Sequence, residues 1–205
     1  MKLRRPIIVS LFATAAALLA VAGCSRTEAG TPQPSAQSDG SASNMPKIEQ
    51  PLDPTSYREK PCELLPPQLS QSLNYTNPGI TTLNGVGAIV GGPACNWLMP
   101  GIGKEISVQL GLTNTDPSTP GLARTFALRE KGRIAYAEPT EVSGYPAAFA
   151  DVTDGRPAGR CALAVAVADS EVFAATAQGY QGAQESCDLA KQVAEAVIQT
   201  LKEGS

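Results

Sequence analysis

The chain reads as an α+β domain: a mostly antiparallel sheet of five or six strands, packed by a C-terminal helix and one or two short helices and stapled by two disulfides. Three observations predict it. Residues 104–112 set Ile106, Val108, Leu110 and Leu112 against Glu105, Ser107, Gln109 and Gly111, the period-two pattern of a strand buried on one face. Residues 161–168 alternate Leu163, Val165 and Val167 with four alanines, so both faces are apolar and the strand belongs inside a sheet. Ala190, Val193, Ala194, Val197 and Leu201 then recur at the spacing of one helix face.

The chain opens with a basic start containing Lys2, Arg4 and Arg5, followed by an apolar run over residues 7–22 that ends in Val21-Ala22-Gly23-Cys24. This is the pattern of a signal peptide over residues 1–23. The apolar run is about 16 residues, short of the ~20 that span a bilayer. Val-Ala-Gly-Cys resembles the lipobox of bacterial lipoproteins, in which small residues precede a cysteine that accepts diacylglycerol; the expected lipidation site is Cys24, with palmitate-type chains holding the protein to a membrane. Residues 24–56 are the lipidated cysteine and a linker of Ser, Pro, Gly, Thr and Gln, expected to be disordered and to hold the domain roughly 30 Å from its anchor.

The folded domain is expected over residues 57–205. Pro66 and Pro67 can start but not continue a helix, which predicts a short one over residues 67–73, ended by Asn77-Pro78-Gly79. The glycine-rich run 85–92 lacks the strand-before, helix-after context of a phosphate-binding loop and reads as a connector. Strands are expected from Cys95, over 104–112, over 133–137 and over 142–152 with an interruption at Gly144-Tyr145-Pro146; a helix is expected over 122–131. The 161–168 strand pairs with a return strand over 171–177, and its alanine side leaves room for close packing. In the last helix Ser186 is the expected cap, with Glu185 and Asp188 suiting the positive N-terminal end.

Cys62, Cys95, Cys161 and Cys187 form an even set in an exported chain, the setting in which disulfides persist. Metal ligation is disfavoured because the spacings far exceed those of zinc sites. Of the three pairings, Cys62 with Cys95 and Cys161 with Cys187 closes the shorter loops. The formal charge is −3, and −6 without the three leader cations, which argues against nucleic acid. Histidine is absent, removing the commonest general base near neutral pH. Ser143 lies in Val-Ser-Gly-Tyr rather than in a nucleophile elbow, and Asp151 and Asp154 sit three apart in a polar turn.

The ordered set of Pro-Cys-Glu-Leu-Leu at 61–65, Cys95-x-Trp97, Gly144-Tyr145-Pro146-Ala147, Cys161 on its Ala/Val strand and Cys187-x-x-Ala190 resembles an actinobacterial lipoprotein family, the domain of unknown function 3558 family. The resemblance implies a cell-surface domain with two bridges and carries over no catalytic residue. The function expected is a membrane-anchored lipoprotein with an extracytoplasmic binding or accessory domain, a monomer without cofactor or metal. Its partner would be a protein, a cell-wall component or an apolar ligand, and Trp97 and Tyr145 are the candidate groove residues. The alternatives are a lipid or glycolipid carrier and a cell-envelope hydrolase.

Overall fold

The computed structural model describes residues 46–85, 91–111 and 119–204, all within one compact unit, Ser38–Ser205. The expected signal peptide, Cys24, most of the linker and residues 86–90 of the glycine-rich run lie outside the described residues.

Seven strands form one sheet in the order β1-β2-β3-β7-β6-β5-β4, every neighbouring pair antiparallel. They are β1 Ile80–Gly85, β2 Gly92–Met99, β3 Lys104–Leu110, β4 Tyr136–Val142, β5 Tyr145–Asp151, β6 Cys161–Ala166 and β7 Val172–Gln178. The helices are α1 Pro67–Ser72, α2 Ala123–Glu130 and α3 Gly182–Glu203. The sheet is thus two meanders, β1-β2-β3 and β4-β5-β6-β7, joined where β3 pairs with β7.

The expected count of five or six strands is corrected to seven. The additional strand is β1, whose first five residues are all exposed. Exposure on both sides removes the period-two signal on which strand recognition rests, so β1 is specified by its pairing with β2 and not by burial. The interruption expected at Gly144-Tyr145-Pro146 is a turn one residue earlier: Ser143 and Gly144 both take positive φ, as tight two-residue hairpins require, and Tyr145 and Pro146 open β5.

Residues opposite each other across an antiparallel pair share a face. The register puts Trp97, Ile106, Ala177 and Cys161 in one row, and Leu110, Phe173, Val165 and Ala147 in another, all on the face covered by α3. There Ala190, Val193, Ala194, Val197 and Leu201 of α3 are buried. Disulfides Cys62–Cys95 and Cys161–Cys187, each with Cα atoms about 5 Å apart, pin a 3-10 turn at Pro61–Leu64 to β2 and α3 to β6.

The opposite face is divided. Ala148 and Ala164 pair there and are almost wholly buried. Leu122 and Ala123 line a pocket with Pro146, Ala166 and Ala168, and α2 packs on β4, so the start of this helix stands beside the alanine side of β6. Towards β3 and β7 the same face shows half-buried Ser107, Gln109 and Thr176.

Two further expectations are corrected. The helix begins at Gly182 and not at Ser186: Glu185 accepts the Gln181 backbone N–H at 2.7 Å, and the Ser186 hydroxyl, fully buried, donates back to the Gly182 carbonyl at 2.8 Å. The folded part also reaches back beyond residue 57. Ile48 and Leu52 are buried, the Leu52 N–H donates to the Val167 carbonyl at 2.8 Å, and the Tyr145 hydroxyl donates to the Gln50 carbonyl at 2.9 Å. Residues 46–54 are therefore a strap across one end of the sheet, held because the linker's two bulky apolar side chains there find the core.

Candidate functional site

At the β1 end of the sheet, the β2–β3 hairpin turns through residues 100–103, with Gly101 and Gly103 both at positive φ. Between this turn and the segment that feeds β1 lies an open groove of about 560 Å³, walled by Pro78, Ile80, Leu98 and Pro100, with Lys104, Glu105 and Gln178 among its polar lining. Ile80 pairs with Asn96 and Leu98 with Glu105, so both apolar side chains stand on the face away from α3, beyond the reach of α2.

Single apolar side chains exposed to water are ordinary, whereas adjoining ones that line one concave surface mark a place of contact. Among the described residues the exposed large apolar side chains are Ile80 (58%), Leu83 (53%), Leu98 (41%), Ile102 (68%) and Val152 (45%). Four of these five belong to β1 or the β2–β3 hairpin, which singles out this corner. Ile80 and Leu83 carry no periodic signal in the sequence because β1 buries no face; their segment belongs to a long uncharged run, residues 64–103.

Of the polar lining, Glu105 and Gln178 pair across β3 and β7 on the groove's own face, whereas Lys104, two residues before Ile106, turns its side chain to the α3 side. The Lys104 ammonium lies 4.5 Å from the centre of the Tyr180 ring and 3.5 Å from a Glu185 carboxylate oxygen. Tyr180 shares a hydroxyl–hydroxyl hydrogen bond with Tyr75, and burial pushes both phenols above their ordinary pKa.

Gly79 forms the partition behind the groove. A Cβ there would sit 2.3 Å from the Cys95 sulfur and 2.8 Å from the Trp97 indole, so only glycine lets the chain pass. On the far side of that partition, a second pocket of about 360 Å³ is lined by Cys62, Gln71, Tyr75 and Trp97. Trp97 is nearly buried between Gly79 and the core. Tyr145, its proposed companion, stands on β5 with its hydroxyl under the strap and the Lys202 ammonium 5.3 Å from its ring centre. Three strands separate β2 from β5, so the fold does not bring the two aromatics together.

The other sequence candidates are engaged elsewhere. Ser143 sits in the β4–β5 turn at φ +51°. Asp151 is buried and accepts from the Arg160 guanidinium at 2.9 Å and from the Val152 N–H at 2.7 Å. Asp154 accepts twice from Arg156 at 2.8 Å, and these bonds hold its carboxyl below the usual range. Arg156 also reaches Glu138 at 2.7 Å and stacks 3.9 Å from the centre of the Tyr136 ring, whose hydroxyl burial pushes up to about 12. No group of three or more acidic, cysteine or histidine side chains among the described residues is arranged to hold a metal ion.

The model of one protein family, described as protein of unknown function (DUF3558), matches residues 19–200, nearly the whole chain. The chain belongs to the DUF3558 family. The match takes in the tetrad at 21–24, all four disulfide cysteines and every element of the sheet. Comparison of this DUF3558 protein with curated proteins and with solved structures finds no match.

Proposed function

We propose that this DUF3558 protein is a lipoprotein anchored through Cys24 on the outer face of a cell membrane, whose extracytoplasmic domain binds its partner at the Pro78–Leu98 groove. The observation that carries the binding part is that Ile80 and Leu98, two of the few large apolar side chains exposed among the described residues, both line this groove. Apolar walls with a few polar side chains, Asn77, Glu105 and Gln178 among them, suit a ligand with an apolar body and a few polar contacts. The anchor part is supported by the basic start, the apolar run and the Val-Ala-Gly-Cys tetrad.

Native mass spectrometry of the full chain, extracted in mild detergent from its own membrane, tests both parts. The expected spectrum carries a diacylglyceryl mass on the N-terminal peptide and a co-purifying molecule that Leu98→Asp and Ile80→Asp release. An unmodified Cys24 would refute the anchor, and a bound molecule indifferent to both substitutions would refute the groove. No helix among the described residues is long and apolar enough to cross a membrane.

A further inference from the structure

The two edges of the sheet are built differently. The β4 edge carries Glu138, Pro139 and Glu141, and charge and proline are how proteins keep foreign strands off an edge. The β1 edge runs Ile80-Thr81-Thr82-Leu83-Asn84-Gly85, without a charge or a proline. Its backbone pairs on one side with β2, in regular register over residues 80–82 and with a shift between Thr82 and Gly85, and among the described residues no backbone hydrogen bond joins its other side. Residues 80–84 are exposed along their whole length, and the groove begins at Ile80.

We propose that the outer edge of β1 takes up an extended segment of a partner polypeptide as an eighth strand, with one of its apolar side chains seated between Ile80 and Leu98. The inference rests on the groove reading above and names the class of ligand. Unpaired N–H and C=O groups in a row match the main chain of another strand, which supplies affinity regardless of sequence, while pockets for alternate side chains supply selectivity. Here the edge and the pocket adjoin.

A second copy of this chain is the lesser fit. Six residues at ~3.4 Å each give a strip about 20 Å long and about 10 Å deep, well short of the ~800 Å² per partner of a standard interface. Two copies also bring together chains of the same net negative charge, −6 each once the leader cations are removed. A slender peptide meets no such repulsion and reaches both the edge and the groove.

The test uses the full chain in detergent micelles, panned against a displayed library of random ten-residue peptides. Enriched peptides are then synthesised for fluorescence anisotropy and amide hydrogen exchange. Enriched sequences are expected to alternate apolar and polar residues, and their binding to slow exchange at the outward-facing amides of the regular stretch, residues 80–82. Thr82→Lys and Leu83→Lys, both at exposed positions, should each weaken binding tenfold or more, while Thr140→Lys on β4 leaves it unchanged. Because a lysine variant can act through the fold, peptides N-methylated at successive positions provide a second measurement: alternate positions should lose binding and the intervening ones keep it. No enrichment, binding without protection of β1, or a dimer that protects β1 without peptide would each overturn the proposal. If instead a non-peptide molecule is displaced by Leu98→Asp with β1 exchange unaltered, strand addition falls and the groove reading stands.

Discussion

Arg58 and Glu171 show how single residues hold distant parts of this chain together. The Arg58 guanidinium donates to the Gly111 carbonyl and to Glu171, both at 2.7 Å, joining the turn that follows the strap to the ends of β3 and β7. Burial raises the Glu171 carboxyl above its usual range, outweighing the lowering by Arg58. The folded state therefore keeps this proton to higher pH than the unfolded chain, so the contribution is complete below the ordinary value of 4.5 and is lost as pH rises through the folded value. Relative to Glu171→Gln, the natural protein is expected to lose stability with rising pH over that window, measured as urea midpoints at a series of pH values; the opposite slope would refute it. Nothing in the sequence pairs residues 58 and 171, which lie 113 positions apart. Ser186 teaches the converse: its residue type pointed to a cap, but a buried serine hydroxyl satisfied by the preceding turn serves equally inside a helix.

Elements with a strong pattern were legible and those without were not. α1 was readable from its prolines, and β3, β6 and α3 from their periodicity, because each buries a face and burial leaves a period in the sequence. β1 buries no face and left none. The alanine side of β6 announced that something packs closely, and the structure sets the start of α2, with Leu122 and Ala123, beside Ala166 and Ala168. Ala164→Leu is accordingly expected to overpack that layer and cost about 1–3 kcal/mol, whereas Thr176→Leu, half-buried on the open part of the same face, should cost clearly less. Equal urea midpoints for the two variants would show that α2 does not rest on the alanines. The strap was hidden for another reason: Ile48 and Leu52 are two apolar residues in a polar stretch, too few for a pattern, and only the core they meet gives them meaning.

At the scale of the whole molecule, two disulfides close loops of 33 and 26 residues and tie opposite halves of the sheet to the layer above it. In the chain-entropy picture each contributes about 3–4 kcal/mol, comparable to much of a domain's net stability. Replacing Cys62 and Cys95 by serine, or Cys161 and Cys187, is expected to lower unfolding free energy by about that amount in urea titrations; no loss from either pair would refute this account. Sequence alone determined the α+β class, the central β6, the covering α3 and the even set of cysteines, since each follows from local periodicity, composition or compartment. The tertiary structure alone decided the strand order, the seventh strand, the strap, and the distance that keeps Trp97 from Tyr145 while Pro78, Ile80, Leu98 and Lys104 gather into a groove. Periodicity records which side of a segment meets the core. It carries no record of which segments become neighbours, because that is fixed by pairings between residues far apart in the chain.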